Sequence, residues 1–395
     1  MNRREFVFAG LGLSLVGLFS CDTPLNVRTL LLSGYQDRFN KANPYGIAAA
    51  GIEGKLRFML PLPQRIHQVL DMSPLPLDAV KPISSEARTC LAIARRPGTE
   101  LYHVDVERGL LLNKIVASAN RHFFGHACRN KDGKVLVPQN HLDKKAASIA
   151  VFDPADAWRL LEEIPLPGIG PHQIECLSDG KTLVVAMGGI HTQPNTGRRK
   201  LNIDTMQSSL LYIDSNDSKV LAEYYPEDPK LSLRHMAVSR DDRVIIAAQY
   251  QGPSENILPL AFSHHGEENL LAFSAAQEDW RAHQQYIGSV SVDSSGSTVY
   301  LSSPRAGIVS RWNLNSLELE ESYGLRDACG LAYAKEQQAF FISNGLGQIV
   351  NVKNTAIDQV ADQNMAQKQA LKQSQINTTA FEKAMIWDNH LTILS

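Results

Sequence analysis

The sequence predicts an all-β fold, a seven-bladed β-propeller whose N- and C-terminal strands together close one blade. Three observations support this: a strand–turn–strand unit recurs along the chain, its spacing leaves room for four strands per unit, and unpaired strands stand at both chain ends. Repeats of roughly 40–50 residues with four strands each are typical of propellers. The 395 residues are 44% hydrophobic and 20% charged, which is globular rather than disordered composition.

The repeated unit is a strand, a tight turn and a second strand. It is clearest at 126–138 and 172–186, where Asp-Gly pairs supply the positive φ that hairpin turns need. Further copies begin at His235, at Ser289 and, in degenerate form, at Gly330, and one more inner strand begins near His67. The first four turns are 47, 62 and about 54 residues apart, and loops at 192–207 and 252–265 account for the two larger spacings.

Strands at the chain ends complete the ring. We expect two strands at 46–52 and 55–60 to join two at 381–387 and 390–394 in one composite blade, which leaves no bare sheet edge. This count predicts a single propeller domain over 45–395, which follows a signal peptide over 1–21, argued below from its residues, and a linker over 22–44. An α/β alternative with two domains is weak, because no alternating helix pattern is present.

The N-terminus is typical of an export signal. Arg3 and Arg4 precede an apolar stretch over 7–19, in the manner of a twin-arginine signal. Leu18-Phe19-Ser20-Cys21 resembles a lipobox, in which Cys21 would be acylated and hold the protein at a membrane surface. We therefore expect a periplasmic protein anchored to the inner membrane. Simple cleavage of the signal and an ordinary buried N-terminal helix are the alternatives, although such a helix has no need of the two arginines.

Histidines recur at one place in the repeat. His126, His172 and His235 each precede an inner hairpin turn by six or seven residues, and His67 occupies the equivalent place in the first unit. Innermost propeller strands line the central channel, so these side chains should converge near one mouth. Imidazole is the commonest transition-metal ligand, which makes iron or copper the candidate ion. The alternative is that these histidines are hydrogen-bonded structural links between blades.

Basic residues accompany the histidines and could hold an anionic ligand. The candidates are Arg65, Arg121 and Arg234, with Arg198 in the glycine-rich loop 188–202, which could equally be a flap over the channel. A net charge of −2 argues against a nucleic-acid partner. We assign no catalytic residue, because the sequence has no His-Glu-x-x-His motif, nucleophile elbow, phosphate-binding loop or dinucleotide fingerprint.

Several segments resemble a family of bacterial Tat-exported propellers whose domain has no assigned function. The matching segments are Ala94-Arg-Arg-Pro-Gly98, Arg121-His-Phe-Phe-Gly-His126, Gly168-Ile-Gly-Pro-His172, Val185-Ala-Met-Gly-Gly-Ile190, Lys200-Leu-Asn-Ile-Asp-Thr-Met206, Arg234-His235, Ala248-Gln-Tyr-Gln-Gly252, Tyr286-Ile-Gly-Ser289, Ser303-Pro-Arg305 and Trp387-Asp-Asn-His390. The sequence departs from the family pattern at Ile66, Gln173 and Gln193, where glycine, glutamate and histidine are usual. If the family site binds metal through that glutamate and histidine, these changes would weaken it here.

The resemblance implies a periplasmic role in iron uptake, with imelysin-like and di-haem peroxidase-like proteins as partners. We therefore expect a binding or scaffold component rather than an enzyme. Two alternatives stay open: a propeller enzyme, either a metal-dependent lactonase-type hydrolase or an oxidoreductase, and a pure scaffold for envelope assembly.

Overall fold

The computed structural model describes residues 29–73, 88–197, 199–353, 376–380, 386–388 and 390–394. Within these residues the strands form seven antiparallel sheets of four or five strands, which confirms the predicted all-β propeller. Three strands come first: β1 (Leu30–Gln36), β2 (Tyr45–Gly51) and β3 (Leu56–Pro61). They belong to the closing blade, and the next six blades follow in chain order.

Each of those six blades runs from an innermost strand outward. Blade 1 contains β4 (Ile66–Asp71), β5 (Thr89–Ala94), β6 (Glu100–Asp105) and β7 (Leu110–Val116), and blade 2 contains β8 (Arg121–Phe123), β9 (Cys128–Arg129), β10 (Val135–His141), β11 (Ala147–Asp153) and β12 (Arg159–Leu166). Blade 3 contains β13 (Pro171–Cys176), β14 (Thr182–Met187), β15 (Ser209–Asp214) and β16 (Val220–Tyr224), and blade 4 contains β17 (Leu231–Val238), β18 (Val244–Tyr250), β19 (Ala261–His264) and β20 (Leu271–Ala272).

A short helix, α1 (Gln277–Ala282), leads into the last two of them. Blade 5 contains β21 (Ser289–Val292), β22 (Thr298–Ser303), β23 (Ile308–Asn313) and β24 (Leu319–Gly324), and blade 6 contains β25 (Ala328–Ala334), β26 (Ala339–Asn344), β27 (Gln348–Lys353) and β28 (Ile376–Ala380). In the described part of the chain no helix is long and apolar enough to cross a membrane.

The closing blade joins both ends of the described chain. Its innermost strand comes from the C-terminus in two pieces, β29 (Ile386–Trp387) and β30 (Thr392–Leu394), and both pair with β1. The Thr392 hydroxyl donates to the Val69 carbonyl of blade 1 at 2.5 Å, which ties the last strand to the first blade. The chain thus contributes three N-terminal strands and one broken C-terminal strand, rather than two and two.

The predicted domain boundary at residue 45 is therefore too late. Leu30–Gln36, assigned to the linker over 22–44, is a buried strand of the closing blade. The physical reason is that a C-terminal strand in the innermost place needs a pairing partner between itself and β2. The leucine run 30–32 supplies that partner and is 4% exposed or less. The predicted signal peptide, with Arg3, Arg4 and Cys21, lies outside the described residues.

The innermost strands of five blades are interrupted at or beside a histidine. The ladder shifts register between Ile66 and Gln68 in blade 1, between Pro171 and Gln173 in blade 3, and between Leu233 and Met236 in blade 4. In blade 2 the strand is broken outright between β8 and β9, and in the closing blade it is divided into β29 and β30. A bulge takes a residue out of the regular alternation and re-aims its side chain. The residues so released are His67, His126, His172, His235 and His390.

Apolar side chains fill the space between blades, and the four cysteines of the propeller, at 90, 128, 176 and 329, are free thiols. Trp387, 1% exposed, packs between the closing blade and blade 6 with Tyr35, Phe341 and Leu391. Burying an indole of this size stabilises a fold by several kcal/mol. Trp387 thus fastens the ring where its two ends meet.

We predict that Trp387→Ala lowers the free energy of unfolding by about 3–5 kcal/mol, because it leaves a large cavity at the closure. The measurement is the denaturant midpoint by circular dichroism. Leu346→Ala, in a blade 6 turn and 47% exposed, is the control and should change stability by less than about 0.5 kcal/mol. Equal effects of the two substitutions would show that the closing strand does not hold the ring together.

Candidate functional site

Five histidines from five blades meet at the centre of the ring. The rings of His67, His126 and His390 lie 4.6–4.8 Å apart between centroids, and His235 lies 4.8 Å from His390. One nitrogen each from these four lies within 4.8 Å of the others. His172 is the fifth, 4.7 Å from the His235 ring and 5.2 Å from that of His126. We call this set the histidine cluster.

The structure therefore brings together all four histidines selected from the sequence and adds His390. The internal alignment could not find His390, because that alignment used the turn after each inner strand and the C-terminal strand has no such turn. A signal for it was present, since His390 belongs to one of the segments that carry the family resemblance. Asp388 stands in the same segment and was also not selected.

Two glycines make room for the cluster. Gly125 has a φ of +100°, and a Cβ on it would lie 2.8–2.9 Å from His67 side-chain atoms. A Cβ on Gly330 of blade 6 would lie 2.6 Å from the Leu391 nitrogen and 2.8 Å from the His390 carbonyl carbon. Side chains at these two positions would push the histidine-bearing segments apart, so blade 6 contributes space rather than a ligand.

Asp388 fixes the orientation of one histidine. Its carboxylate, 2% exposed, accepts hydrogen bonds from Arg65 Nε at 2.5 Å and from His67 Nδ1 at 3.3 Å, with Arg95 at 3.5 Å. Burial alone would raise the pKa of Asp388, but the bond from His67 and the charges of Arg95 and Arg65 hold that pKa well below its usual range. With Nδ1 donating to Asp388, Nε2 of His67 keeps its lone pair for the cluster.

Burial favours the neutral form of all five imidazoles. Burial lowers the pKa of every one of them, and the neighbouring histidines lower those of His126, His172, His235 and His390 further. Among the described residues no hydrogen-bond partner is present for both nitrogens of His126, for Nδ1 of His172 and His235, or for Nε2 of His390. An unpaired buried polar atom costs about 1–3 kcal/mol, so this arrangement calls for a partner.

Two glutamines link neighbouring inner strands. Gln68 accepts from the Ala127 N–H at 2.8 Å, and Gln173 both accepts from the Met236 N–H at 3.0 Å and donates to the Met236 carbonyl at 2.9 Å. Ala127 and Met236 directly follow His126 and His235. The alternative of histidines as structural links fits His67, which is bonded to Asp388 of the closing blade, but no such bond is present for the His126 nitrogens or for Nδ1 of His172 and His235 among the described residues. The departure at Gln173 also has a reason, because an ionised glutamate could not donate to Met236.

A cavity of about 610 Å³ opens above the cluster, and His67, His172 and His235 form part of its wall. None of the described residues that line the cavity is acidic. Six of them are cationic: Arg65, Arg95, Arg96, Lys200, Arg234 and Arg305. Two of the predicted anion-binding residues, Arg65 and Arg234, are thus at the cavity. Arg121 is not among its lining residues and forms an ion pair with Glu163 at 3.2 Å, and Arg198 lies outside the described residues.

Glu175, on the same inner strand as His172, has a carboxyl whose burial raises its pKa to about 7, although Gln173 donates to it at 2.7 Å. Because the folded pKa exceeds the ordinary value of 4.5, the unfolded chain loses its proton first as the pH rises. The folded protein is therefore destabilised progressively between about pH 4.5 and 7, and fully above that range.

We predict that Glu175→Gln stabilises the protein at pH 8 by about 1–3 kcal/mol and has little effect at pH 4.5, since the amide does not titrate. The measurement is chemical unfolding at both pH values. Glu336→Gln, in the exposed turn between β25 and β26, is the matched control. A gain for Glu175→Gln that is the same at both pH values would contradict this assignment of the pKa.

Comparison with known proteins places these features in a family. The model of a family described as "Protein of unknown function (DUF1513)" matches residues 61–394, and no curated protein matches the chain. Among solved structures, a chain of Kuenenia stuttgartiensis hydrazine synthase is similar, with a TM-score of 0.52 and 13% identity over 78% of this chain and 92% of that chain.

At 13% identity this likeness shows the fold alone. The family match is of another kind, because it covers most of the chain and every residue of the histidine cluster. The chain belongs to the DUF1513 family of proteins of unknown function.

Proposed function

We propose that the histidine cluster binds one transition-metal ion, iron or copper, and that the protein is a periplasmic binding component of an iron-uptake system. The observation that supports this most is the convergence of imidazoles from five blades, with buried nitrogens that no described side chain or backbone group satisfies. A single ion that takes up those lone pairs would remove the penalty of burying them.

The donor set and its spacing fit such an ion. Metal–nitrogen bonds of about 2.1 Å place neighbouring ligands about 3 Å apart and opposite ones about 4.2 Å apart. Four nitrogens within 4.8 Å of one another need only small side-chain rotations to reach those separations. Neutral imidazole suits iron, copper and zinc rather than calcium or magnesium, which prefer oxygen ligands.

Access to the cluster supports a role in uptake. His126 and His390 lie beneath, whereas His67, His172 and His235 face the cavity, so an ion could arrive and leave through the mouth. We propose export through the twin-arginine signal and an inner-membrane anchor at Cys21, with imelysin-like and di-haem peroxidase-like proteins as partners. These follow from the family resemblance and the N-terminal sequence.

One alternative function has an observation in its favour. Of the four histidines whose nitrogens lie within 4.8 Å of one another, His67 and His235 face the cavity, so a bound ion would have one side open, which is the arrangement of catalytic rather than structural metal sites. An oxidoreductase is therefore the second candidate. A lactonase-type hydrolase is less well supported, because among the described residues the one carboxylate bonded to the cluster, Asp388, is held by two arginines and His67.

We predict that the purified propeller binds one iron or copper ion per chain, and that the triple variant His126→Ala, His172→Ala, His235→Ala loses this binding. Metal analysis and calorimetric titration with iron, copper and zinc measure it. The control is the triple variant His103→Ala, His141→Ala, His265→Ala, whose histidines lie outside the cluster. It should bind metal as the wild type does.

A milder variant separates binding from folding. Asp388→Asn keeps the shape of the side chain but weakens the support of His67, and metal affinity should fall roughly 10–100-fold. Wild-type protein that binds none of the three metals, together with a triple variant that only melts earlier, would overturn the proposal. It would also return the histidines to a structural role.

Export has its own test. Arg3→Lys with Arg4→Lys should abolish transport, and Cys21→Ser should release the exported protein from the membrane fraction into the soluble periplasm, because one acyl chain supplies the anchor. Fractionation followed by immunoblotting measures both. Lys41→Arg, downstream of the signal, is the control. Unchanged membrane association of Cys21→Ser would contradict the lipid anchor.

A further inference from the structure

The cavity above the histidine cluster has a large excess of positive charge. Among the described residues, no carboxylate lies within ion-pairing distance of Lys200, Arg234 or Arg305. Asp388 faces Arg65 and Arg95 and compensates part of their charge. Lys200, Arg234 and Arg305 thus have no carboxylate opposite them among the described residues, and the imidazoles beside them contribute no negative charge.

Arg234 shows what this arrangement costs. It stands in the bulge next to His235, its Nε is buried with no hydrogen-bond partner among the described residues, and Lys200 and Arg305 line the same cavity. Burial and the charges of Arg234 and Arg305 lower the pKa of Lys200. Like charges held this close are destabilising unless an anion joins them.

We propose that this cavity binds a small organic molecule with two or more carboxylate groups. The cations come from separate blades: Arg65, Arg95 and Arg96 from blade 1, Lys200 from the long loop of blade 3, Arg234 from blade 4 and Arg305 from blade 5. A compact single anion such as phosphate would meet only part of this set. Several carboxylates along one molecule could each pair with a cation from a different blade around the cavity.

The walls indicate a carbon skeleton between those carboxylates. Phe124, Ile190, Pro97 and Pro304 line the cavity between the cationic groups. Arg96 lies over the Phe124 ring at 5.7 Å, and Arg305 over the Tyr286 ring at 5.0 Å, contacts that hold both guanidinium groups in place. A volume of about 610 Å³ is within the usual range for small-molecule sites and exceeds what an inorganic ion needs.

The link to the metal centre rests on the proposed function, whereas the anion site itself does not. A divalent ion held by neutral imidazoles keeps its full charge and adds to that of the six cations. A carboxylate reaching the open side of the ion, with its other carboxylates on the arginines, would neutralise both at once. The ligand class inferred is therefore a polycarboxylate able to chelate the same metal.

The test is calorimetric titration of metal-free protein with citrate, inorganic phosphate and acetate at about 50 mM salt. We expect citrate to bind at least tenfold more tightly than phosphate or acetate. The double variant Lys200→Gln, Arg305→Gln should weaken citrate at least tenfold, because both side chains are exposed and their loss should not disturb folding. Arg240→Gln with Lys335→Gln removes the same charge from turns at the other end of the blades and should change nothing.

Each outcome separates this inference from the proposed function. If citrate binds but no metal does, the carboxylate site stands and the metal proposal fails. If metal binds but citrate does not, or if the two double variants weaken citrate equally, the carboxylate inference is overturned. Phosphate binding as tightly as citrate also overturns it, since the class of ligand is then wrong. In every case the same variants should be titrated with metal, and Lys200→Gln, Arg305→Gln should bind it normally.

Discussion

Ring closure is the constraint on which both the fold and the site depend. A propeller whose first strand stood innermost would seal itself with N-terminal residues, but here the last strand takes that place and pairs with Leu30–Gln36. The closure therefore delivers Asp388 and His390 to the channel. Those two residues meet His67 from the opposite end of the chain, with Asp388 3.3 Å from the His67 ring nitrogen. The histidine cluster is complete only when the ring is closed.

Bulges convert this scaffold into a site. A regular inner strand would send alternate side chains into the blade interfaces, where apolar residues are needed. The register shifts at His67, His172 and His235, and the breaks at His126 and His390, give up ladder hydrogen bonds at five places around one ring. Such a loss, repeated at equivalent positions and partly offset by the side chains of Gln68 and Gln173, is more typical of a functional site than of a packing device.

The fold could be predicted from the sequence because repetition is a local signal. Strand, Asp-Gly turn and strand recur with enough regularity to count blades, and the same alignment places four histidines in register. The features that the sequence did not predict depend on contacts between residues far apart in the chain. Three features join residues at least 59 positions apart: the pairing of the leucine run 30–32 with the C-terminal strand, the carboxylate of Asp388 on His67, and the glutamine links between blades. Arg121 shows the converse error, since proximity in sequence to His122 did not place it at the cavity; it faces Glu163 instead.

The site has two layers of different charge: the neutral histidine cluster and, above it, the cavity lined by cationic residues. Burial favours the neutral form of the imidazoles, so protons would compete little with a cation for the histidine cluster. The arginines that line the cavity above the cluster repel free cations from it. A free divalent ion would therefore be repelled by the cationic residues of the cavity before it reached the histidine cluster. The same ion bound to a polycarboxylate would carry a net negative charge. The cationic residues of the cavity would attract this complex, and the neutral imidazoles of the histidine cluster would then bind the ion. For the metal centre proposed above, then, the charge distribution favours delivery of metal as an anionic chelate over delivery of the free ion.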